Sequence, residues 1–278
     1  AEGAVLLLAV PGSGKPPVLV TRLGYMLCCC GIPADKILTM TYTKAATREM
    51  KQRFARLFGE DCPDIPEFRT INGVSSKIID FYAKTHSGGN AFPLMEDEGL
   101  LSKLVSDLYR ALSGEFATQG VIKELRKNIT YVKNSMLDKE EIDDLDTGFE
   151  KFPELYRRYN LALRKQHWMD YDDQMVYAKT ILEKHADVLT HFQDMFPYIC
   201  VDESQDTSRI QHSIIQLLAQ KSGNIFMVGD EDQSIYGFRA AYPEALMRFG
   251  QTYPNARVLL MEENYRSTRN ILSAANAV

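Results

Sequence analysis

The chain has 278 residues, of which 45% are hydrophobic, and a formal net charge of −5. That length and apolar content suffice for a sizeable core in one large domain or two moderate ones, and they exclude a disordered chain. The acidic balance excludes a global basic field for nucleic acid, so any such binding needs a local groove.

The apolar run Val5 to Leu8 predicts a strand, and Ala9-Val10-Pro11-Gly12-Ser13-Gly14-Lys15 follows it. Strand, tight glycine-rich turn and lysine, in that order, cradle nucleotide phosphates, with Gly12, Ser13, Gly14 and Lys15 as the candidate contacts. The pattern then calls for a Ser or Thr hydroxyl on Mg²⁺. Here Pro16 and Pro17 bring neither a hydroxyl nor a backbone N–H. Taken alone, the loop reads equally well as a structural turn.

Further β-rich runs at Ile37 to Tyr42, Tyr198 to Val201, Ile225 to Val228 and Val258 to Leu260 alternate with helical patterns, which predicts an α/β fold with a largely parallel sheet. Between Ser87 and His167 the strand signals stop. Leu100, Leu101, Leu104, Val105 and Leu108 recur at helical spacing, as do Phe152, Leu155, Tyr156 and Tyr159, so residues 87–167 read as an all-helical insertion between 1–86 and 168–278. Ser87-Gly88-Gly89-Asn90 is its leading loop, and Asp138 to Gly148 reads as a mobile turn within it. Cys28, Cys29, Cys30, Cys62 and Cys200 contain no CxxC pair and read as reduced thiols. No apolar stretch approaches a membrane span, and residues 1 to 10 lack the features of a signal peptide, so a cytoplasmic protein with no membrane partner is expected.

Tyr198-Ile199-Cys200-Val201 delivers Asp202 and Glu203 to a strand's C-terminal end, where ligands of open α/β sheets bind. One carboxylate there can hold Mg²⁺ while its neighbour polarises an attacking water. Asp202, Glu203 and Asp206 also suit the capping of the next helix, and the residues alone leave both readings open. Ile225 to Val228 runs into Gly229-Asp230-Glu231-Asp232-Gln233-Ser234-Ile235-Tyr236-Gly237-Phe238-Arg239 at the same sheet edge. Gln233 can touch a terminal phosphate, and Tyr236, Phe238 and Arg239 can form a stacking platform for single-stranded bases, although core packing of the two aromatics competes with that reading.

Asp202-Glu203-Ser204-Gln205-Asp206, then Gly229 to Arg239, then Glu263-Asn264-Tyr265-Arg266-Ser267 resemble successive motifs of the UvrD/Rep-like superfamily 1 DNA helicases. Thr41 to Met50 resembles another, and Met169-Asp170-Tyr171-Asp172-Asp173 the segment that returns from that family's helical insertion. The resemblance implies a RecA-like P-loop NTPase domain with an inserted helical subdomain, binding ATP and Mg²⁺ and translocating 3′ to 5′ on single-stranded DNA in the parent protein. It implies Lys15 on the β- and γ-phosphates, Asp202 on Mg²⁺, Glu203 on the attacking water, Gln233 and Arg266 at the γ-phosphate, and Tyr265 stacked on adenine. It also implies Tyr42, Tyr236 and Phe238 on DNA bases, Arg239 near the backbone, and Thr70 and Asn72 in a DNA-contacting motif. Asn72 stands where the family usually has histidine, and Arg22, Arg48 and Glu49 read as solvated helix charges. A second motor domain and an upstream adenine-recognition segment are expected to lie outside this sequence. The rival readings are a nucleotide-impaired DNA- or protein-binding module, which the two prolines favour, and a small-molecule kinase, which the Gly229 to Arg239 segment argues against.

Overall fold

The computed structural model describes residues 2–10, 12–89, 91–230, 242 and 248–268. Six strands form one parallel sheet: β1 (Val5–Ala9), β2 (Ile37–Thr41), β3 (Glu67–Thr70), β4 (Tyr198–Val201), β5 (Ile225–Gly229) and β6 (Arg257–Met261), in the order β3-β2-β4-β5-β1-β6. Parallel strands need crossover connections, and the helices that supply them cover both faces. Along β1 the period of two sends Val5 and Leu7 to one face and Leu6 to the other. α1 (Lys15–Cys28) and α2 (Lys44–Phe58) pack the first face through Leu19, Leu23, Met50 and Phe54. α3 (Ile71–His86), α8 (Tyr171–Lys184), α9 (Ala186–Met195) and α10 (Arg209–Ala219) pack the second through Val74, Ile78, Ala178, Phe192 and Ile214.

Between α3 and α8 lie α4 (Glu98–Ser113), α5 (Gln119–Ser135), α6 (Lys139–Asp143) and α7 (Phe152–Lys165), which share a core of their own built from Leu101, Val105, Leu125, Phe152 and Leu155. Leu100, part of the apolar repeat in α4, is exposed, because a helix in a small bundle buries only one stripe. The stretch Asp138 to Gly148, expected as a turn, contains α6. Asp138 accepts from the Glu141 amide while Glu141 accepts from the Asp138 amide, and this reciprocal cap starts a helix in a run of acids. Gly88 and Gly89 leave α3 with positive φ, as a connecting turn requires, and Asn90 lies outside the described residues.

The strand β3 carries no sequence signal. Its four residues, Glu-Phe-Arg-Thr, form a sheet edge, paired on one side and half-buried throughout, so no apolar run marks them. The expectation of reduced thiols also needs correction. The end of α1 and the turn after α2 meet with the Cα atoms of Cys28 and Cys62 at 6.6 Å, and a disulfide joins them, while Cys29 and Cys30 are exposed and free and Cys200 is buried. Among the described residues no helix is long and apolar enough to cross a membrane.

A buried ion pair ties the helical insertion to the sheet layer. Lys133 on α5 lies 2.7 Å from Asp170 and 2.8 Å from Asp173 at the start of α8, and the Tyr159 hydroxyl of α7 donates to Asp170 at 2.9 Å. Burial would strip the Lys133 ammonium of its proton, but the two carboxylates outweigh it and raise its pKa. Asp170 also caps α8 by accepting from the Asp173 amide at 2.7 Å. Removing the cation strands two buried carboxylates, which costs about 3–5 kcal/mol. Lys133→Met is therefore expected to lower the midpoint of denaturant unfolding by that equivalent. A loss below about 1 kcal/mol would show that the pair is dispensable to the junction.

Candidate nucleotide and nucleic-acid site

The sheet topology brings the C-terminal ends of β1, β4 and β5 side by side, so the loops that follow converge on one edge. After β1, Gly12 and Gly14 take φ of 76° and 92°, conformations that glycine reaches without strain. Gly14 is the N-cap of α1, Lys15 its first residue, and Pro16 and Pro17 fill the rest of the first turn. Proline is tolerated there because those amides have no intrahelical partner. The helix forms regardless, and the two missing N–H groups are ones that would otherwise face a ligand at its positive end.

Lys15 is buried, with its Nζ 3.5 Å from Glu203 Oε2 and 3.7 Å from Asp230 Oδ2. Glu203 reaches that position from a left-handed backbone, φ 49° and ψ 46°, a conformation that costs a non-glycine residue about 1–3 kcal/mol and recurs where geometry serves a site. Its Oε2 also accepts from Gln205 Nε2 at 2.7 Å, while Gln205 Oε1 accepts from the Asp230 amide at 3.1 Å. Gln205 thus cross-links the two carboxylate loops, a role its type and spacing do not announce. The string Asp202 to Asp206 contained the only hint.

Asp202 is buried at the end of β4, its amide donating to Met40 O at 2.9 Å, and its Oδ1 has no hydrogen-bond partner among the described residues. Burial, and then the charge of Glu203, push its carboxyl up to about 6. A buried carboxylate with an unused oxygen, destabilised as an anion, suits a cation, so Asp202 fits Mg²⁺. Pro16 does not, since it offers no oxygen from its side chain. The same two causes push Asp206 up to about 6. The capping alternative for Asp202 has no support in the contacts. Ser208 opens α10, its amide donating to Gln211 Oε1 at 3.0 Å.

The segment after β6 folds over the phosphate loop. The Tyr265 amide donates to Gly12 O at 3.1 Å, and Asn264 Oδ1 accepts from the amides of Arg266 and Ser267 at 2.9 and 2.8 Å. Arg266 is exposed, and Tyr265 is 75% exposed with its hydroxyl donating to Glu263 at 2.6 Å, so both side chains are available to a ligand. A Cβ on Gly12 would meet Asn264 Oδ1 at 2.7 Å and Arg266 Cβ at 2.8 Å.

On the other side of the edge, Tyr42, Asn72, Tyr171, Asp172, Asp206 and Gln211 line a cleft of about 310 Å³. Thr70 caps α3, accepting from the Gly73 amide at 3.1 Å, and Asn72 Nδ2 donates to Tyr171 O at 2.8 Å. Both contacts hold α3 in place. Arg48 is exposed and Glu49 pairs with Arg53 at 2.8 Å, as solvated helix charges do. Arg22 departs from that reading, since it is half-buried with its guanidinium 4.4 Å from the centre of the Phe226 ring. Gln233, Tyr236, Phe238 and Arg239 lie outside the described residues.

A parallel sheet with a phosphate loop after its first strand and an acidic pair after β4 defines a P-loop nucleotide-binding domain of RecA-like type. Residues 1–254 match the family described as UvrD/REP helicase N-terminal domain, and the chain belongs to it. It is 34% identical over 282 residues to a protein of Leuconostoc citreum named ATP-dependent DNA helicase PcrA, and 32% identical over 291 residues to one of the same name from Bacillus subtilis. Both alignments take in 100% of this chain and 37% of the relative, so the chain spans somewhat over a third of their length.

Gly12→Ala tests the seat of residues 264–266. The substitution forces an L side chain into the left-handed region, at about 1–2 kcal/mol, and drives the Asn264 segment off the loop. ATP binding measured by calorimetry is expected to weaken about tenfold or more while circular dichroism stays unchanged. Wild-type affinity would show that Gly12 and the Asn264 segment do not cooperate in the site.

Proposed function

We propose that the chain is the ATP-binding first motor domain of a DNA helicase, with 87–167 as its helical subdomain and 1–86 with 168–278 as the motor body. The observation that carries the reading is Lys15 held between Glu203 and Asp230 beside the buried Asp202. Phosphate oxygens would replace those carboxylates around the Lys15 ammonium, and the loop glycines let the backbone approach them. Glu203, freed of Lys15, would take the proton of the attacking water, a contribution of about 10² to 10⁴ in rate, with Gln205 fixing its orientation. Mg²⁺ arriving with the nucleotide would neutralise charge developing on the phosphates, with Asp202 as its protein anchor. Arg266 and Gln233 would face the γ-phosphate, and Tyr265 the adenine ring.

Single-stranded DNA would lie across the same sheet edge, stacked on Tyr42 and on Tyr236 and Phe238, with Arg239, Thr70 and Asn72 toward the backbone. In the parent protein, closure of a second motor domain over the nucleotide would drive translocation, and the 3′ to 5′ sense rests on the family alone. The parent would act in the cytoplasm.

A second reading, a nucleotide-impaired DNA- or protein-binding module, is favoured by one observation, the prolines in the first turn of α1. They withhold a metal-binding hydroxyl and two amides, and a hydrogen bond to a charged group is worth about 1.5–3 kcal/mol, so affinity for ATP·Mg²⁺ should fall by about two orders of magnitude. Calorimetric titration of ATP with Mg²⁺ into the chain and into the Pro16→Thr, Pro17→Thr variant separates the readings. Weak saturable binding that strengthens about a hundredfold in the variant is expected. Equal affinities would show that the prolines do not impair the site, and binding by neither form would contradict a nucleotide site.

A further inference from the structure

At the end of α3 remote from the phosphate loop, three potential metal ligands gather. His86 closes α3, His185 sits between α8 and α9, and Asp187 lies in the first turn of α9, and one ligand atom from each falls within 4.8 Å of the others. His86 follows Asn72 by fourteen helical residues, which places the cluster about 21 Å along α3 from the DNA-facing cleft.

The hydrogen bonds fix the orientation of the His86 ring. Thr85 Oγ1 lies 2.7 Å from His86 Nδ1, and the same hydroxyl donates to Phe81 O at 2.9 Å. A hydroxyl whose proton is committed to a carbonyl accepts from the ring, so Nδ1 carries the hydrogen and Nε2 is the atom turned to Asp187 Oδ2 at 3.1 Å. Nε2 and Asp187 Oδ2 face each other, where either a proton on the ring or a shared cation joins them. A proton joins His86 and Asp187 only. A metal ion uses all three. Tyr82 packs on both imidazoles, with ring centres 4.8 Å from His86 and 4.5 Å from His185, and so restrains the donors before any ion arrives.

We propose that His86, His185 and Asp187 form a site for a divalent transition metal of the Zn²⁺ class. Two imidazoles and one carboxylate are donors that suit Zn²⁺, Co²⁺ or Ni²⁺ over Mg²⁺, which keeps this site apart from the Mg²⁺ of the nucleotide. Zn–N and Zn–O bonds of about 2.0–2.2 Å place tetrahedral ligand atoms about 3.3–3.6 Å apart. The His86 and Asp187 pair already approaches that spacing, and the rest closes by side-chain rotation, since His86 and Asp187 are exposed and His185 is half-buried. Three protein ligands leave a fourth position for water or an outside donor. Thr85 serves as the partner that orients His86, as the second nitrogen of a ligating imidazole requires. The bound ion would pin the end of α3 to the start of α9.

The test uses the 278-residue chain with Cys29→Ser and Cys30→Ser, so that exposed thiols do not compete. Zn²⁺ is titrated by calorimetry in excess Mg²⁺, and Co²⁺ is followed by visible absorption. One ion per chain is expected, with Co²⁺ bands free of thiolate charge transfer and lost on adding Zn²⁺. His185→Ala and Asp187→Asn should each weaken Zn²⁺ binding at least about tenfold while circular dichroism remains native, and Zn²⁺ should raise the melting temperature of the parent chain and of neither variant. Absence of stoichiometric binding, or unchanged Zn²⁺ affinity in both variants, would overturn the proposal and leave an ion pair between His86 and Asp187.

Discussion

One cation held among carboxylates organises this domain. Lys15 is buried where the loops after β1, β4 and β5 meet, and its charge is balanced by Glu203 and Asp230 from the other two. A buried ammonium without partners would be costly, so the loops that carry those acids are held in register with the phosphate loop before any ligand arrives. Gln205 completes the arrangement by joining Glu203 to the Asp230 amide. An incoming polyphosphate would bring negative charge to the same ammonium and release Glu203 and Asp230 from it, beside the buried Asp202.

The prolines show how a helix and a ligand can place different demands on the same residues. The first turn of α1 forms with Pro16 and Pro17 in it, because those amides are unused by the helix. A bound phosphate is what would use them. A domain can therefore keep the fold, the lysine and the carboxylates of a nucleotide site while losing donors that only the nucleotide feels.

Much of this was legible in the sequence, and the failures have physical reasons. Buried parallel strands read as unbroken apolar runs, so β1, β2, β4 and β5 were visible, and the acids at the end of β4 followed from strand direction. β3 was not, because an edge strand half-buried under α2 can be as polar as Glu67-Phe68-Arg69-Thr70. β6 reads as apolar yet leaves Val258, Leu259 and Leu260 about half exposed, since it forms the opposite edge. Partnerships across long separations were invisible as well. Lys133 looks like any helix-surface lysine until α8 brings Asp170 and Asp173 to it, Cys28 meets Cys62 only once α1 packs on α2, and His86 stands a hundred residues from His185 and Asp187 until α3 and α8 run side by side. Pattern and spacing report what one element does; ion pairs between elements are written in the topology.

The role proposed for the Lys15 ammonium is to bind phosphate. The most direct measurement is ATP affinity of Lys15→Met beside the parent chain, by calorimetry, with circular dichroism to establish that both are folded. Binding is expected to fall about tenfold or more, the loss of a charge-assisted contact. Equal affinity in a folded Lys15→Met chain would contradict it.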